Sequence, residues 1–241
     1  MELFYSPDIA LGCRTLDKQE SNHCIKVLRH RKGDTIHVID GCGNLYECVI
    51  ADDDPNSIVY DIISVTEGYG SHAYHLHMAV APPKNIDRFE WFCEKATETG
   101  VDEITPLVGD YSQRKVFKGE RCERIIVSAA KQSHKGAIPQ LHQLTSVTDF
   151  LKQDFGPRTA RYICYCDEVE ALGGTKVHIS RALQQADTSD FVVMIGPEGD
   201  FSRSEIALAL KRGWQVISLG DSRLRIETAA LVAVAAVYLA S

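Results

Sequence analysis

Apolar and polar residues alternate along the first third of the chain. Thr35-Ile36-His37-Val38-Ile39-Asp40 is one such run, a Gly41-Cys42-Gly43-Asn44 turn follows, and Leu45-Tyr46-Glu47-Cys48-Val49-Ile50 resumes the alternation. Asp52-Asp53-Asp54-Pro55-Asn56 makes another turn before a further run from Ser57 to Val65. Short strands at this spacing predict a small β-barrel. Glycine and serine then cluster at Gly68-Tyr69-Gly70-Ser71 and the periodicity changes beyond them. That change marks a domain boundary, with residues 1–70 on one side and 71–241 on the other.

After the boundary, strand-like and helix-like patterns take turns. Strands are predicted near His75–Ala81, Glu103–Val108, Arg161–Cys166, Phe191–Ile195 and Trp214–Leu219. Ile86, Phe89, Phe92, Cys93 and Ala96 recur at helical spacing and stop at Gly100, a natural C-terminal cap. Cys122, Ile125, Ile126, Ala129 and Ala130 mark a second helix, and Ser202-Arg203-Ser204-Glu205 is a capping box opening a third that ends before Gly213. The fold class is therefore α/β, a parallel sheet covered by helices on both faces. The last segment, Thr228 to Ala240, is apolar on every side, so a helix made from it is expected to be buried all round, within its own subunit or beneath a second copy.

Composition narrows the class. A chain of 241 residues that is 44% apolar and 24% charged can bury substantial cores. The net charge of −7 argues against non-specific coating of nucleic acid. Its distribution changes that picture. Residues 1–70 hold 6 basic and 12 acidic side chains, yet four of the basic ones, Lys26, Arg29, Arg31 and Lys32, share one short window free of acidic residues. Basic groups recur at Arg114-Lys115 with Lys118, Arg121 and Arg124, and at Lys131 with Lys135. Local basic patches on an acidic body suit an anionic partner docked at defined points, and Lys26, Arg29, Arg31, Lys32, Arg114, Lys131 and Lys135 are the candidate phosphate contacts. The eight cysteines include no CxxC pair and read as reduced thiols. The N-terminus lacks the pattern of a secretory signal and the run ending at Ala240 is too short to span a bilayer, so a cytoplasmic protein without membrane contact is expected.

Two loops carry candidate chemistry. Ile195-Gly196-Pro197-Glu198-Gly199-Asp200-Phe201 follows an apolar strand and precedes a capped helix, the place where ligands bind in open α/β sheets. It is either such a site or a simple strand-to-helix turn. No GxGxxG is present, which argues against a dinucleotide fold of the ordinary kind. Leu219-Gly220-Asp221-Ser222-Arg223-Leu224-Arg225-Ile226-Glu227 leads into the apolar helix and is predicted to emerge on the same edge of the sheet. Glu227 there serves either the helix dipole or a reaction, and its two arginines are either solvated or functional.

His72, His75 and His77 form a rival motif, with His75 and His77 on one face of a strand. No Asp, Glu or Cys stands at supporting spacing in the sequence, so no metal is expected. His134 and His142 read as structural or solvent-facing, and Cys164 and Cys166 as packing residues sharing a strand face.

These residues together resemble a family, the small-subunit ribosomal RNA uracil-N3 methyltransferases (RsmE) of the SPOUT superfamily. The resemblance runs over nearly the whole chain: His23-Cys-Ile-Lys26-Val27-Leu28-Arg29 with Gly33-Asp34 and Asp40-Gly41-Cys-Gly43; Lys84 and Glu94-Lys95-Ala96-Thr97-Glu98-Thr-Gly100-Val101; Lys131-Gln132-Ser133; and Gly196-Pro-Glu-Gly199 with Leu219-Gly220 and Leu224-Arg225-Ile-Glu227-Thr228-Ala229. Arg223 stands one residue beyond the family's usual arginine position, which Ser222 occupies here. Lys135 replaces an arginine, and Thr99 an aliphatic residue.

The resemblance implies a PUA-like β-barrel over about residues 1–70, followed by a SPOUT-type α/β domain tied in a C-terminal trefoil knot. It implies a homodimer, which agrees with the apolar final helix. It also implies S-adenosylmethionine as cofactor, held mainly by backbone groups of Ile195, Gly196, Pro197, Glu198, Gly199, Leu219, Gly220 and Leu224. The implied substrate is the N3 of a uridine in 16S ribosomal RNA within the assembled small subunit. Arg225 or Arg223 is then expected to stabilise charge on the base, while Glu227 or Glu198 accepts a proton or orients the arginine. A SPOUT enzyme for another RNA position and a non-catalytic RNA-binding assembly factor are the rival readings.

Overall fold

The computed structural model describes residues Met1–Ser241. The chain forms two compact units, Met1–Ser71 with Ile126–Ile138, and His72–Ile125 with Pro139–Ser241. The segment Ile126–Ile138, far along the chain, thus packs with the N-terminal residues, which local periodicity does not announce.

In the first unit, strands β1 (Leu3–Tyr5), β2 (Thr35–Ile39), β3 (Leu45–Asp52) and β4 (Val59–Thr66) form a four-stranded sheet in that order, with helix α1 (Lys18–Asn22) and a π-helical turn over His23–Val27 between β1 and β2. The first pair is parallel and the others are antiparallel. Alternation along β3 sends Tyr46, Cys48 and Ile50 inward, where they meet Phe4, Leu16, Ile36, Val38, Ile58 and Tyr60. A bridge from Thr15 to Val59 folds the segment after β1 against β4 and curls the sheet towards closure.

The Asp40-Gly41-Cys42-Gly43 turn is organised by a buried carboxylate. Asp40 Oδ1 accepts the N–H groups of Cys42 (2.7 Å) and Asn44 (3.1 Å), and its Oδ2 accepts the Asn44 side chain at 2.6 Å. The turn is sewn to the returning segment by Gly43 N–H to Gly136 O and Ile138 N–H to Gly41 O. A Cβ on Gly136 would lie 2.8 Å from the Tyr69 carbonyl, so that position requires glycine.

The second unit runs β5 (His75–Val80), α2 (Ile86–Thr99), β6 (Glu103–Val108), the start of α3 (Glu120–Gln132), β7 (Gln140–Leu141), β8 (Thr145–Ser146), α4 (Val147–Phe150), β9 (Ala160–Cys164), β10 (Lys176–His178), α5 (Ile179–Gln185), β11 (Asp190–Ile195), α6 (Arg203–Lys211), β12 (Gln215–Ser218) and α7 (Ile226–Ala240). The strands form one parallel sheet ordered β10-β12-β9-β11-β5-β6-β7, with β8 also on β6. Helices cover both faces. Val192 and Met194 of β11 join Ile163, Phe150 of α4, and Ile206 and Ala209 of α6 in one core. By alternation, Val193 and Ile195 face the other side, where α7 packs against β5, β11, α2 and α5. The expected capping box is present: Ser202 Oγ accepts the Glu205 N–H, and Glu205 Oε2 accepts the Ser202 N–H at 2.7 Å.

Within the single chain, helix α7 is not covered on every side, so of the two ways of burying it the subunit's own core supplies only part. It is apolar all round but buried on one face, through Ile226, Ala230, Ala233, Val234 and Val237. Val232, Tyr238 and Leu239 are exposed, Leu239 to 80%. No helix is long and apolar enough to cross a membrane.

Candidate active site

The loops after β11 and β12 emerge on the same edge of the sheet, as parallel strands require, and β9 lies between them. The chain beyond β9 is tied to the first of them. Asp200 Oδ2 accepts the Cys166 N–H at 2.9 Å, while Oδ1 accepts the Phe201 N–H at 2.8 Å. Asp200 has φ +65°, a left-handed conformation unusual for a residue with a side chain, and these two bonds hold it there. The loop after β5 joins the group through the Lys84 N–H, which donates to Glu198 Oε1 at 2.8 Å. That loop is itself fixed by Arg114, whose guanidinium donates to the carbonyls of Pro83 (3.2 Å) and Lys84 (2.7 Å).

The two glycines of the first loop make room for the protein's own rings. A Cβ on Gly196 would lie 3.1 Å from the Phe201 ring, and one on Gly199 would lie 2.9 Å from Tyr111 Cβ. Gly220 differs: its φ is +111° and nothing lies within 4 Å of a Cβ built there. From Leu219 to Leu224 the backbone makes no hydrogen bond to the rest of the chain. Ile195, Gly196 and Pro197 are buried and Leu219 and Leu224 half-buried, so the pair of loops presents a sheltered apolar edge beside free backbone donors and acceptors.

The charged candidates sit around this rim. Arg223 and Arg225 are exposed, and Arg225 is the residue that caps α7, its carbonyl accepting the Ala229 N–H at 2.7 Å. Glu227 is buried in the first turn of α7 and pairs with Arg88 of α2, Nε to Oε1 at 3.7 Å, rather than with either neighbouring arginine. Cys166 lies past the end of β9 and is exposed, which corrects the reading of it as a packing residue sharing a strand face with Cys164. Burial and the Asp200 carboxylate push its thiol pKa up, while Arg223 and Lys176 pull it down. Sequence reading did not place Lys84 after β5, Arg88 of α2 and Cys166 after β9 at this edge, because they stand far along the chain from the two loops they join.

In the first unit Lys26, Arg29, Arg31 and Lys32 are all exposed, just beyond or within the π-helical turn. Arg29 holds φ +64°. Lys131 is placed differently: its ammonium sits on both Glu20 oxygens at 2.6 and 2.8 Å, with side-chain exposures of 16% and 11%, so the ion pair is largely withdrawn from solvent. Lys135 is half-buried.

The histidine motif splits. His72 pairs with Asp102 at 3.0 Å, whereas His75 and His77 face Glu103, which the β5–β6 register sets directly opposite His77. His142 Nε2 reaches the same carboxylate at 2.5 Å. The absence of a supporting carboxylate in the sequence is thus corrected by the fold, and His142, half-buried, is held by Glu103. Burial holds the His77 imidazole neutral, its pKa lowered to about 4.

Comparison with known proteins gives this architecture a family. Residues 71–238 match the family described as RNA methyltransferase domain, and residues 16–63 match RNA methyltransferase PUA domain. The chain is 30% identical over 186 residues to "Ribosomal RNA small subunit methyltransferase E" of Mesomycoplasma hyopneumoniae, covering 73% of this chain and 75% of that one. A "probable rRNA-methyltransferase" of Porphyromonas gingivalis superposes with a TM-score of 0.84 at 35% identity, covering 98% of this chain and 96% of the other. A Legionella pneumophila methyltransferase in complex with bound SAM superposes with a TM-score of 0.80 at 26% identity over 100% of this chain and 98% of that one. A parallel α/β sheet whose loops meet at one edge, preceded by a PUA unit, and these matches over most of the chain have one conclusion: the protein belongs to the ribosomal RNA small subunit methyltransferase E family.

Proposed function

We propose that this chain transfers the methyl group of S-adenosylmethionine to the N3 of a uridine in 16S ribosomal RNA. The observation that carries the reading is the placing of the 195–200 and 219–224 loops at one edge of the parallel sheet, the first of them tied to the chain after β9 through Asp200 and Cys166. The cofactor is held there by Ile195, Gly196, Pro197, Glu198, Gly199, Leu219, Gly220 and Leu224, chiefly through backbone groups. The open side of Gly220 and the free backbone of Leu219–Leu224 fit such a ligand. Once bound, it supplies an electrophilic methyl on a sulfonium.

The protein's own residues must then free a nitrogen that carries a proton on the pairing edge of the base, so the uridine has to be unpaired or turned out of its stack. Loss of that proton spreads negative charge over the flanking carbonyl oxygens. Arg225, at the N-terminus of the 15-residue helix α7, stabilises this charge together with the positive end of the helix dipole. Arg223 lies two residues earlier and backs it up. Glu227 receives the proton, and Arg88 is the cation at its side.

The exposed strip of Lys26, Arg29, Arg31 and Lys32 docks RNA phosphates, with Lys135 as a further contact. Lys131 and Arg114, each already engaged within the protein, contribute by holding segments in place. The exposed apolar side of α7 is covered by a second copy of the chain, giving a homodimer. The strand order, in which β12 returns beyond β9 before α7 crosses back to β5 and β11, is consistent with the C-terminal trefoil knot. The substrate is the assembled small subunit, met in the cytoplasm.

Nucleoside mass spectrometry of ribosomal RNA from cells with and without the protein tests the reading. One missing N3-methyluridine is expected, while loss of a different methylated nucleoside, or of none, overturns it. In vitro, Arg225→Ala and Glu227→Gln are expected to lose turnover while still binding S-adenosylmethionine, and unchanged turnover in both would remove their assigned roles.

A further inference from the structure

At the opposite end of the same sheet, away from the loops just described, side chains of β5, β6 and the segment after β7 meet on one face. Glu103 is their centre. Its Oε2 is 2.5 Å from His142 Nε2 and 3.8 Å from His77 Nδ1, and the three ligand atoms offered by these residues all lie within 4.8 Å of one another. The cluster borders a pocket of about 540 Å³ whose wall also includes Gln143, Asp154 and Thr159.

We propose that His77 Nδ1, His142 Nε2 and Glu103 Oε2 form a binding site for one divalent transition-metal cation of the zinc type, with its fourth coordination position open to the adjoining pocket. Two imidazoles and one carboxylate are a donor set that zinc takes when it keeps an open position. The distances are near what is needed. Bonds of about 2.0–2.1 Å in a tetrahedral arrangement place donors roughly 3.3 Å apart. The His142–Glu103 separation must therefore widen and the His77–Glu103 separation narrow, each by less than about an ångström, while the two histidine nitrogens, which lie within 4.8 Å of each other, draw in to the same spacing.

The surroundings argue further for a metal than three donors alone would. His77 Nε2 is engaged by Thr105 Oγ1 at 2.7 Å, which leaves Nδ1 to face Glu103. The other oxygen of Glu103 is held by His75 Nε2 at 3.0 Å, and His75 Nδ1 meets Asp190 Oδ1 at 3.1 Å. Asp190 in turn accepts the Thr159 hydroxyl at 2.8 Å. Each proposed ligand on β5 and β6 thus has its remaining polar atom fixed by a second residue, the arrangement that orients metal ligands. The rings of Phe150 and Phe155 pack edge-on to His77, 5.3 and 6.1 Å between centroids, and close its apolar side.

The test uses the full-length chain, free of any histidine tag and stripped with a chelator, titrated with Co²⁺ as a spectroscopic probe. One Co²⁺ per chain with the visible bands of a four-coordinate site, displaced by Zn²⁺, is expected. His142→Ala and Glu103→Gln are each expected to weaken Co²⁺ binding at least about 100-fold, and His75→Ala about 10-fold through loosening of Glu103. Calorimetry with S-adenosylmethionine on the same samples reports that the variants are folded. Sub-stoichiometric uptake, a six-coordinate spectrum, or affinity unchanged in both His142→Ala and Glu103→Gln would overturn the proposal. If a variant fails to fold, the wild-type spectrum and stoichiometry alone still support or sink it.

Discussion

Arg88 Nε lies 3.7 Å from Glu227 Oε1, so the carboxylate at the start of α7 answers to a cation on α2 and not to the arginines beside it in sequence. Arg88 is substantially exposed, at 42% of its side chain, and a solvent-screened pair of this kind is worth up to about 1 kcal/mol. Arg88→Ala is expected to lower turnover by no more than about fivefold, with Arg88→Lys recovering part of it. On the role proposed for Arg225 at the reacting base, Arg225→Ala is expected to cost about 100-fold or more. Steady-state kinetics on the three variants, with S-adenosylmethionine affinity measured in parallel, check the ranking.

Asp200 ties two loops with one carboxylate from a left-handed backbone conformation. Asp200→Ala keeps the strained φ and removes both bonds. Loss of about 1.4 kcal/mol, the worth of one or two such bonds, predicts S-adenosylmethionine binding about tenfold weaker by calorimetry. Binding left intact would show that the Cys166–Asp200 tie does not shape the cofactor site.

The ion pair between Lys131 and Glu20 is withdrawn from solvent on both sides. Lys131→Ala leaves a nearly buried carboxylate uncompensated and is expected to destabilise the protein by about 3 kcal/mol. Adding Glu20→Gln to it restores part of the loss. Urea denaturation of the single and double variants measures the difference.

Arg29→Glu with Arg31→Glu removes two exposed cations from the strip on the first unit. RNA affinity is expected to fall, and the slope of log affinity against log salt to flatten by at least about 1. S-adenosylmethionine affinity stays the same. Equal loss of both affinities would contradict a division of labour between the two units.

Thiol chemistry offers a map of the sheet edge. Burial pushes the Cys24 thiol to about 11 and the Cys48 thiol to about 12. At pH 8 the thiolate of each is then about one part in a thousand or less, and both are shielded as well. Cys42 and Cys166, which are exposed, are expected to alkylate first. Raising the pH towards those values increases the reactive fraction of Cys24 and Cys48, the direction a raised thiol pKa demands. If the cofactor binds beside Arg223, S-adenosylmethionine protects Cys166 and not Cys42, as peptide mass spectrometry will show.

Local order was legible in the chain. The strands around Thr35–Ile39 and Asp190–Ile195, the helix closed by Gly100 and the capping box at Ser202 each depend on residues a few positions apart, whose side chains meet through strand or helix periodicity. The two loops of the candidate site could be placed on one edge for the same reason, since parallel strands end alike. Tertiary structure decided what depends on register between distant strands. It put Glu103 opposite His77 and His142 beside both, matched Lys131 to Glu20, gave Glu227 to Arg88, and left one side of an all-apolar helix exposed. No period of two or of 3.6 residues encodes such meetings, because hydrogen-bonded pairing between separate strands sets which side chains become neighbours.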